Sequence, residues 1–338
     1  MKAVGYKKPL PVTDADSLLD ITLPDPVAKG RDLLVEVKAI SVNPVDYKVR
    51  GSSGPLEGDE YRVVGWDATG VVKAVGEEVT LFKPGDEVFY AGSRVRQGAN
   101  AELHLVDERI VGHKPKSLDF AQAAALPLTS LTAWELLFDR LGVKPGKPAD
   151  AGSLLIIGGS GGVGSMMIQL ARRLTGMAVI ATASRPETQK WCLELGAHHV
   201  IDHSQPLAAQ MKAIGIPEAE YIVSLTATDQ HYPALIEVLA PQGHLGVIDD
   251  PATLDAKPLK QKAAALHWEL MFTRSFYQTH DMAAQHRILN EVADLVDEGI
   301  LRTTVAHSFG TINAANLRKA HELLESGKSH GKIVLAGF

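Results

Sequence analysis

A glycine-rich segment carries the clearest chemical signal in this sequence. Its spacing fits G-x-G-x-x-G, and it lies between an apolar run at 153–159 and a helix-like run at 165–176. In a strand–turn–helix unit the first glycine, Gly159, allows a tight turn, Gly161 lets the backbone approach a pyrophosphate, and Gly164 lets helix and strand pack closely. The first amide N–H groups of the helix then face the phosphates. A glycine loop without a ligand is the alternative, but this context favours a dinucleotide site. Its residues are Gly159, Ser160, Gly161, Gly162, Val163 and Gly164.

The residues after the next strand-like run, 177–184, indicate which dinucleotide binds. Proteins that bind NAD usually carry Asp or Glu about 20 residues past the glycine motif, where the carboxylate binds the ribose 2′-hydroxyl. Here Ser184 and Arg185 occupy this region, and no acid occurs before Glu187. A hydroxyl and a guanidinium suit a 2′-phosphate, and Lys190 adds a positive charge further along. We therefore predict NADP(H) as the cofactor; an Arg185 that simply faces solvent is the alternative.

From residue 153 onward, strand-like and helix-like runs alternate, which predicts a parallel, doubly wound sheet. Ligands of such sheets bind at the carboxyl ends of the strands. His203 ends the third strand of the series, where we expect it to stack near the adenine. Two later strand ends should contact the ribose and nicotinamide mainly through backbone groups. The residues expected there are Ser224, Thr226, Gly246 and Val247.

The first third of the chain has a different pattern. Short strand-like runs at 33–42, 61–76 and 83–92, punctuated by glycine, predict a small β-barrel. Residues 117–142 have helical composition, with Ser117 or Asp119 as a candidate N-cap, and a polar connection follows at 144–152.

The last 60 or so residues predict two amphipathic helices, at 281–299 and 313–327, and a strand at 332–338. This strand has no obvious partner in the doubly wound series. We therefore expect it to return to the first domain, which makes that domain discontinuous.

Composition bounds the class of protein. The chain has 338 residues, 45% of them apolar and 22% charged, which suggests two globular domains. The net charge of −6 argues against a role in binding nucleic acid. One cysteine, Cys192, excludes an internal disulfide and a cysteine-rich zinc site.

Residues 1–10 lack the apolar core of a signal peptide, and the uncharged stretch 151–171 contains six glycines. We therefore expect a cytoplasmic protein without a membrane segment.

Six segments spread over nearly the whole chain match one family in order. They are SVNPVDYKVRG (41–51), GWDATGVVKAVG (65–76), FKPGDEVFYAG (82–92), LPLTSLTAWELL (126–137), IIGGSGGVGSMMIQLAR (156–172) and GKIVL (331–335). With these motifs the chain resembles the medium-chain dehydrogenases/reductases, and most of all their quinone oxidoreductase-like branch, often named zinc-type alcohol dehydrogenase-like. The resemblance implies an α/β fold with a GroES-like β-barrel domain (1–126 and 275–338) and a Rossmann domain (127–274) with a doubly wound parallel sheet. It also implies a homodimer or homotetramer.

The resemblance raises the question of zinc. Zinc members carry a cysteine where this chain has Asn43, a His-Glu pair where it has Trp66 and Asp67, and a third ligand near Thr129. None of these positions holds a cysteine, and tryptophan does not ligate zinc. We therefore expect no metal; the alternative is a site made of Asp46, Asp67 and His104.

Without zinc, alcohol oxidation lacks the Lewis acid that stabilises an alkoxide. Hydride transfer to a quinone or an α,β-unsaturated carbonyl instead gives a delocalised anion, which one donor or water can protonate. We therefore expect an NADPH-dependent reductase of a small-molecule quinone or enone. The resemblance places the substrate cleft after the first long strand and a threonine beside the nicotinamide. The matching residues are Asn43, Asp46, Tyr47 and Lys48 for catalysis and Thr132 for the cofactor.

Several alternatives stay open. Some quinone reductases have a tyrosine that contacts the substrate, and its position aligns nearer Lys48 than Tyr47. Tyr47 is therefore as well interpreted as an ordinary aromatic that lines the cleft as it is as a proton donor. A zinc-independent, NADP-dependent alcohol dehydrogenase is a second enzyme hypothesis. An NADPH-binding sensor or nucleic-acid-binding protein with little turnover is a third, although the acidic balance and the lack of a long Lys/Arg run argue against nucleic acid.

Overall fold

The computed structural model describes residues 1–148 and 150–338. Residue 149, within the polar connection expected at 144–152, lies outside the described residues. In the described part of the chain, no helix is both long enough and apolar enough to cross a membrane. The uncharged stretch 151–171 instead divides between a short strand and a helix.

The described residues form two compact units, 1–131 with 272–338 and 132–271. The first unit begins with a β-rich stretch. In its longest strand, buried and half-buried residues alternate, because one face of the strand packs on the core. The elements up to residue 134 are β1 (Lys2–Tyr6), β2 (Leu19–Thr22), β3 (Asp32–Val42), α1 (Pro44–Ser52), β4 (Arg62–Val63), β5 (Ala68–Val75), β6 (Glu87–Tyr90), β7 (Leu103–Asp107), β8 (Val111–His113), α2 (Phe120–Ala124) and α3 (Pro127–Trp134).

The second unit contains a parallel, doubly wound sheet with the strand order β11-β10-β9-β12-β13-β14. All five residues of β9 are buried. The strand order reverses beside β9, and such a reversal opens a crevice at the carboxyl ends of the strands. The elements are β9 (Ser153–Ile157), α4 (Gly162–Leu174), β10 (Ala178–Thr182), α5 (Pro186–Leu195), β11 (His199–Ile201), α6 (Leu207–Ala213), β12 (Ala219–Ser224), α7 (Thr228–Val238), β13 (Leu239–Val247) and β14 (Ala265–Trp268).

The C-terminal residues belong to the first unit. They form α8 (Thr273–Tyr277), α9 (Ala284–Asp297), β15 (Val305–Ser308), α10 (Ala314–Glu325) and β16 (Lys332–Ala336). The strand without a partner in the doubly wound series is β16, and it pairs antiparallel with β3, with Ile333 opposite Val42. The resulting seven-stranded sheet has the order β15-β16-β3-β5-β6-β8, with β7 also paired to β3; β1, β2 and β4 form a separate small sheet.

The segment 117–142, whose composition predicts helix, is helical but is not one continuous helix. The segment instead forms α2, α3 and a π-helical turn at Glu135–Arg140. Asp119 caps α2 by accepting from the Gln122 backbone N–H at 2.7 Å. Pro127 ends the run because proline lacks a backbone N–H and disfavours helical geometry in the residue before it.

The π-helical turn buries an acidic pair in the second unit. The side chains of Glu135 and Glu269 are fully buried, and Arg140 is the cation beside both. Its Nε lies 2.8 Å from Glu269 Oε2, whereas its Nη2 lies 3.7 Å from Glu135 Oε2. Burial, and then the charge of Glu135, raise the pKa of Glu269 to about 8. At neutral pH the pair therefore holds a proton that the unfolded chain would release.

This pair should make stability fall as pH rises. Because the folded pKa of Glu269 is raised, its favourable contribution is present below the unfolded pKa of about 4.5 and is lost progressively up to about pH 8. Glu269→Gln removes this titration. From pH 5.5 to pH 7.5 the free energy of unfolding of wild type should therefore fall by about 2 kcal/mol relative to that of the variant. Urea unfolding at both pH values measures this. The exposed Glu237 provides the control Glu237→Gln, and parallel pH profiles for all three proteins would contradict the prediction.

Candidate functional site

The glycine loop links β9 to α4. Gly158 has a φ of 80°, in the left-handed region, so the tight turn depends on Gly158. This corrects the expectation that Gly159 makes the turn. A Cβ on Gly159 would lie 2.7 Å from the Cβ of Ala181 on β10, so glycine is needed there for packing. A Cβ on Gly164 would lie 2.4 Å from the carbonyl oxygen of Gly158, so the helix can approach the strand only without a side chain.

Gly161 differs from the other glycines of the motif. A Cβ there would meet only the carbonyl oxygen of Gly158, at 3.5 Å, which is an ordinary contact. The protein's own packing therefore does not require glycine at this position. Gly161 is the N-cap of the 13-residue α4, and residues 160–163 are partly exposed. The first N–H groups of a helix lack intrahelical acceptors. The loop is thus an open cradle of the kind that a pyrophosphate fits.

The residues expected to bind a 2′-phosphate follow β10. Ser184 and Lys190 are exposed, and Arg185 is half-buried at the N-cap of α5. The Nε of Arg185 lies 3.3 Å from Glu187 Oε1, and Lys190 pairs with Glu194 at 3.7 Å. Exposed pairs of this kind are weak. Both cations can therefore turn to a phosphate at low cost.

The remaining strand-end residues are placed unevenly. Thr226 is exposed, whereas Ser224 is buried, with its hydroxyl 2.7 Å from the Thr228 hydroxyl at the start of α7. Gly246 and Val247 lie inside the sheet ladder, where Gly246 pairs with β12 and β14. Val247 is the last residue of β13, and contacts of Gly246 or Val247 with a nucleotide stay predictions.

Two other cofactor candidates have defined surroundings. His203, just beyond β11, is half-buried, and its ring centroid lies 5.7 Å from that of His231. Its Nδ1 is buried without a hydrogen-bond partner among the described residues. Thr132 lies in α3 and is 5% exposed. Contacts of either residue with a nucleotide stay predictions.

In the first unit, the candidate catalytic residues begin a buried polar cluster. Asn43 is the N-cap of α1, and its backbone N–H donates to Asp46 Oδ2 at 2.8 Å. Its Nδ2 donates to Asp67 Oδ2 at 2.8 Å. Asp67 Oδ1 accepts from the Leu128 backbone N–H at 2.7 Å. The cluster therefore ties the first turn of α1 to the start of α3.

Burial sets the protonation of the two acids. Asp46 is completely buried, which raises its pKa to about 7 against the opposing effect of the Asn43 N–H. Its Oδ1 has no hydrogen-bond partner among the described residues. Burial also raises the pKa of Asp67, although the Lys332 ammonium 3.1 Å away opposes this. Asp46 is thus a buried acceptor for the backbone N–H of Asn43, the N-cap of α1.

Tyr47 and Lys48 face outward from the same helix. Tyr47 is half-buried and Lys48 exposed, and both line a cavity of about 720 Å³ within the first unit. Burial raises the pKa of the Tyr47 phenol, so it stays protonated at neutral pH. The same cavity is also lined by Leu10 and Pro11. Of the four catalytic candidates, these two are the ones that a small molecule can reach from this cavity.

The donor set does not fit the zinc that the family name implies. Asn43 and Trp66 stand at ligand positions, and both are buried. His104 bonds Tyr90 Oη at 3.1 Å through Nδ1 and the Gln97 carbonyl oxygen at 3.0 Å through Nε2. In the described ranges 1–148 and 150–338, no three His, Cys, Asp or Glu side chains are grouped to hold a metal ion.

Three contributors were missed by the sequence reasoning. Lys332 binds both Asn43 and Asp67. Gly158 makes the turn, and Thr182 Oγ1 accepts the Gly158 N–H at 3.1 Å. The lysine is part of the GKIVL segment, but its own sequence neighbours do not indicate a buried charge partner.

Comparison with known proteins supports this architecture. Residues 29–124 match the alcohol dehydrogenase GroES-like domain family, and residues 195–335 match the zinc-binding dehydrogenase family. A zinc-type alcohol dehydrogenase-like protein of Staphylococcus aureus (strain MSSA476) is 39% identical over 99% of both chains.

Solved structures agree in fold. A Rhizobium etli CFN 42 protein, whose name places it among zinc-dependent alcohol dehydrogenases, has a TM-score of 0.96 and 59% identity over 100% of this chain and 98% of that one. The quinone oxidoreductase from Coxiella burnetii has a TM-score of 0.80 and 28% identity over 100% and 99%. With the glycine loop, the parallel sheet and the GroES-like domain, these matches show that the chain belongs to the medium-chain dehydrogenase/reductase superfamily of oxidoreductases.

Proposed function

We propose that this oxidoreductase uses NADPH to reduce a quinone or an α,β-unsaturated carbonyl. The observation that carries the proposal is the pair of features at the nucleotide loop: an open cradle at Gly161 and a guanidinium at Arg185 where an NAD site usually has an acid. Bound NADPH supplies the hydride. The protein's share is to orient both reactants and to provide a proton.

The substrate class follows from the donors at the zinc-ligand positions. Oxidation of an alcohol needs a strong electrophile that stabilises the alkoxide. The amide of Asn43 and the indole of Trp66 do not provide one. A quinone or enone needs only a hydrogen-bond donor or water at its oxygen. The quinone oxidoreductase from Coxiella burnetii gives the same direction by similarity.

Tyr47 is our candidate for that donor. Its phenol is protonated and lines the cavity in the first unit. If it donates the proton, Tyr47→Phe should lower kcat about 10–100-fold with little change in KM, because general acid catalysis contributes at least this much. Steady-state reduction of a quinone measures both constants. Ser52→Ala is the control: it removes a hydroxyl from an exposed residue that lines the same cavity, and its kcat should stay within about threefold of wild type. A kcat equal to that of wild type in Tyr47→Phe would contradict the role as proton donor and would mean that Tyr47 only lines the cavity.

A substrate panel tests the function as a whole. Purified protein with NADPH is offered quinones and enones, and with NADP a set of alcohols. Turnover of quinones or enones is the expected result. Turnover of alcohols alone would favour the alternative that the names of the Staphylococcus aureus and Rhizobium etli relatives suggest. A protein that binds NADPH tightly but turns over none of these substrates would favour a sensor. A gel-shift assay at physiological salt would then test whether it binds nucleic acid.

The cytoplasmic location and the homodimer or homotetramer are further parts of this proposal. Light scattering coupled to size-exclusion chromatography measures the assembly. A monomer at micromolar concentration would contradict it.

A further inference from the structure

Lys332 is a buried lysine at the start of β16. Its side chain is 3% exposed. Its Nζ lies 2.9 Å from the Val42 carbonyl oxygen, 2.5 Å from Asn43 Oδ1 and 3.1 Å from Asp67 Oδ2. Three acceptors match the three N–H donors of an ammonium group. The ammonium is therefore fully hydrogen-bonded without water.

Two of these acceptors stand where zinc members of the family carry ligands. Asn43 replaces a cysteine, and Asp67 lies in the position of the His-Glu pair. The other oxygen of Asp67 accepts from Leu128, the neighbour of the third position, Thr129. The ammonium thus lies among the residues that would surround a metal. A zinc ion placed there would meet a like charge already bound to the same oxygens.

We propose that the Lys332 ammonium takes the place of the metal in this protein: it balances the buried charge of Asp67 and orients the Asn43 amide, so that the cluster needs no zinc. The inference concerns this cluster alone and does not depend on which substrate is reduced.

The lysine also acts beyond its own contacts. Because an ammonium only donates, the oxygen of the Asn43 amide must face it, and Nδ2 must then face Asp67. The backbone N–H of the same asparagine donates to Asp46 at the first turn of α1. Lys332 is therefore a positioning residue for the helix that carries Tyr47.

A double-mutant cycle tests the charge balance. Lys332→Met keeps most of the side-chain volume but leaves the buried Asp67 carboxylate without its cation. We expect it to lower Tm by about 10 °C, since an unpaired buried charge is strongly destabilising. Adding Asp67→Asn removes the charge that was left unpaired, and this should restore at least half of the loss. A double variant as unstable as Lys332→Met, or two variants that both fail to fold, would show that the lysine acts through packing and would overturn the proposal.

Metal content provides a readout that packing does not affect. Wild-type protein is purified without chelator, incubated with ZnCl₂, desalted and analysed by mass spectrometry for zinc. We expect far less than one zinc per chain and a Tm that EDTA does not change. Stoichiometric zinc in wild type that is lost in Asp67→Asn would overturn the proposal.

Discussion

Gly161→Ala should weaken NADPH binding about 10–100-fold while Tm stays within about 2 °C of wild type. The added methyl group has only an ordinary contact in the protein, 3.5 Å from the Gly158 carbonyl oxygen. It enters the space in which the pyrophosphate would meet the backbone. Loss of one charge-assisted hydrogen bond costs about 1.5–3 kcal/mol, which corresponds to this range of affinity. Isothermal titration calorimetry and thermal unfolding measure the two effects separately.

Gly164→Ala is the matched control on the same loop. Its Cβ would lie 2.4 Å from the Gly158 carbonyl oxygen and 2.6 Å from that of Gly159, so backbone must move. We expect it to lose both affinity and stability, with Tm lower by about 3–10 °C. Wild-type affinity in Gly161→Ala would contradict a pyrophosphate at this loop. Equal loss of Tm in both variants would mean that Gly161 serves packing after all.

Arg185→Ala should raise the Kd for NADPH about 10–100-fold and the Kd for NADH less than about threefold. The guanidinium is half-buried, and its ion-pair partner Glu187 is an exposed carboxylate 3.3 Å away, which a 2′-phosphate can displace. NADH has no 2′-phosphate, so it should hardly sense the change. Fluorescence titration with each nucleotide gives both constants.

Two neighbours sharpen this test. Glu187→Gln removes the competing carboxylate, so NADPH should bind at least as tightly as in wild type. Lys190→Ala should have a smaller effect than Arg185→Ala, because the Lys190 side chain is 78% exposed. Equal losses of NADPH and NADH in Arg185→Ala would exclude a role in binding the 2′-phosphate and would remove the main argument for NADPH.

The fold class and the nucleotide loop were predictable from the sequence because their signals are local. An apolar strand, a glycine motif and a helix lie within about 25 consecutive residues and have the same meaning in any context. The helical character of 117–142 is likewise a local signal, and so is Pro127, which divides the segment. Helical composition alone does not mark this division, which comes from the restriction that proline places on Leu126.

The sequence by itself also determined which groups stand at the ligand positions of the family, Asn43 and Trp66, and hence the case against zinc. What stands in place of the metal was decided by the tertiary structure. The antiparallel register of β16 on β3 brings Lys332 to residues about 290 positions away, and no periodicity encodes that pairing. Likewise Arg140 and Glu269 are 129 positions apart, and the burial of Glu269 beside Glu135 raises the pKa of Glu269. Such charges depend on which strands and helices meet, because a buried ion is tolerated only where the fold supplies its partner.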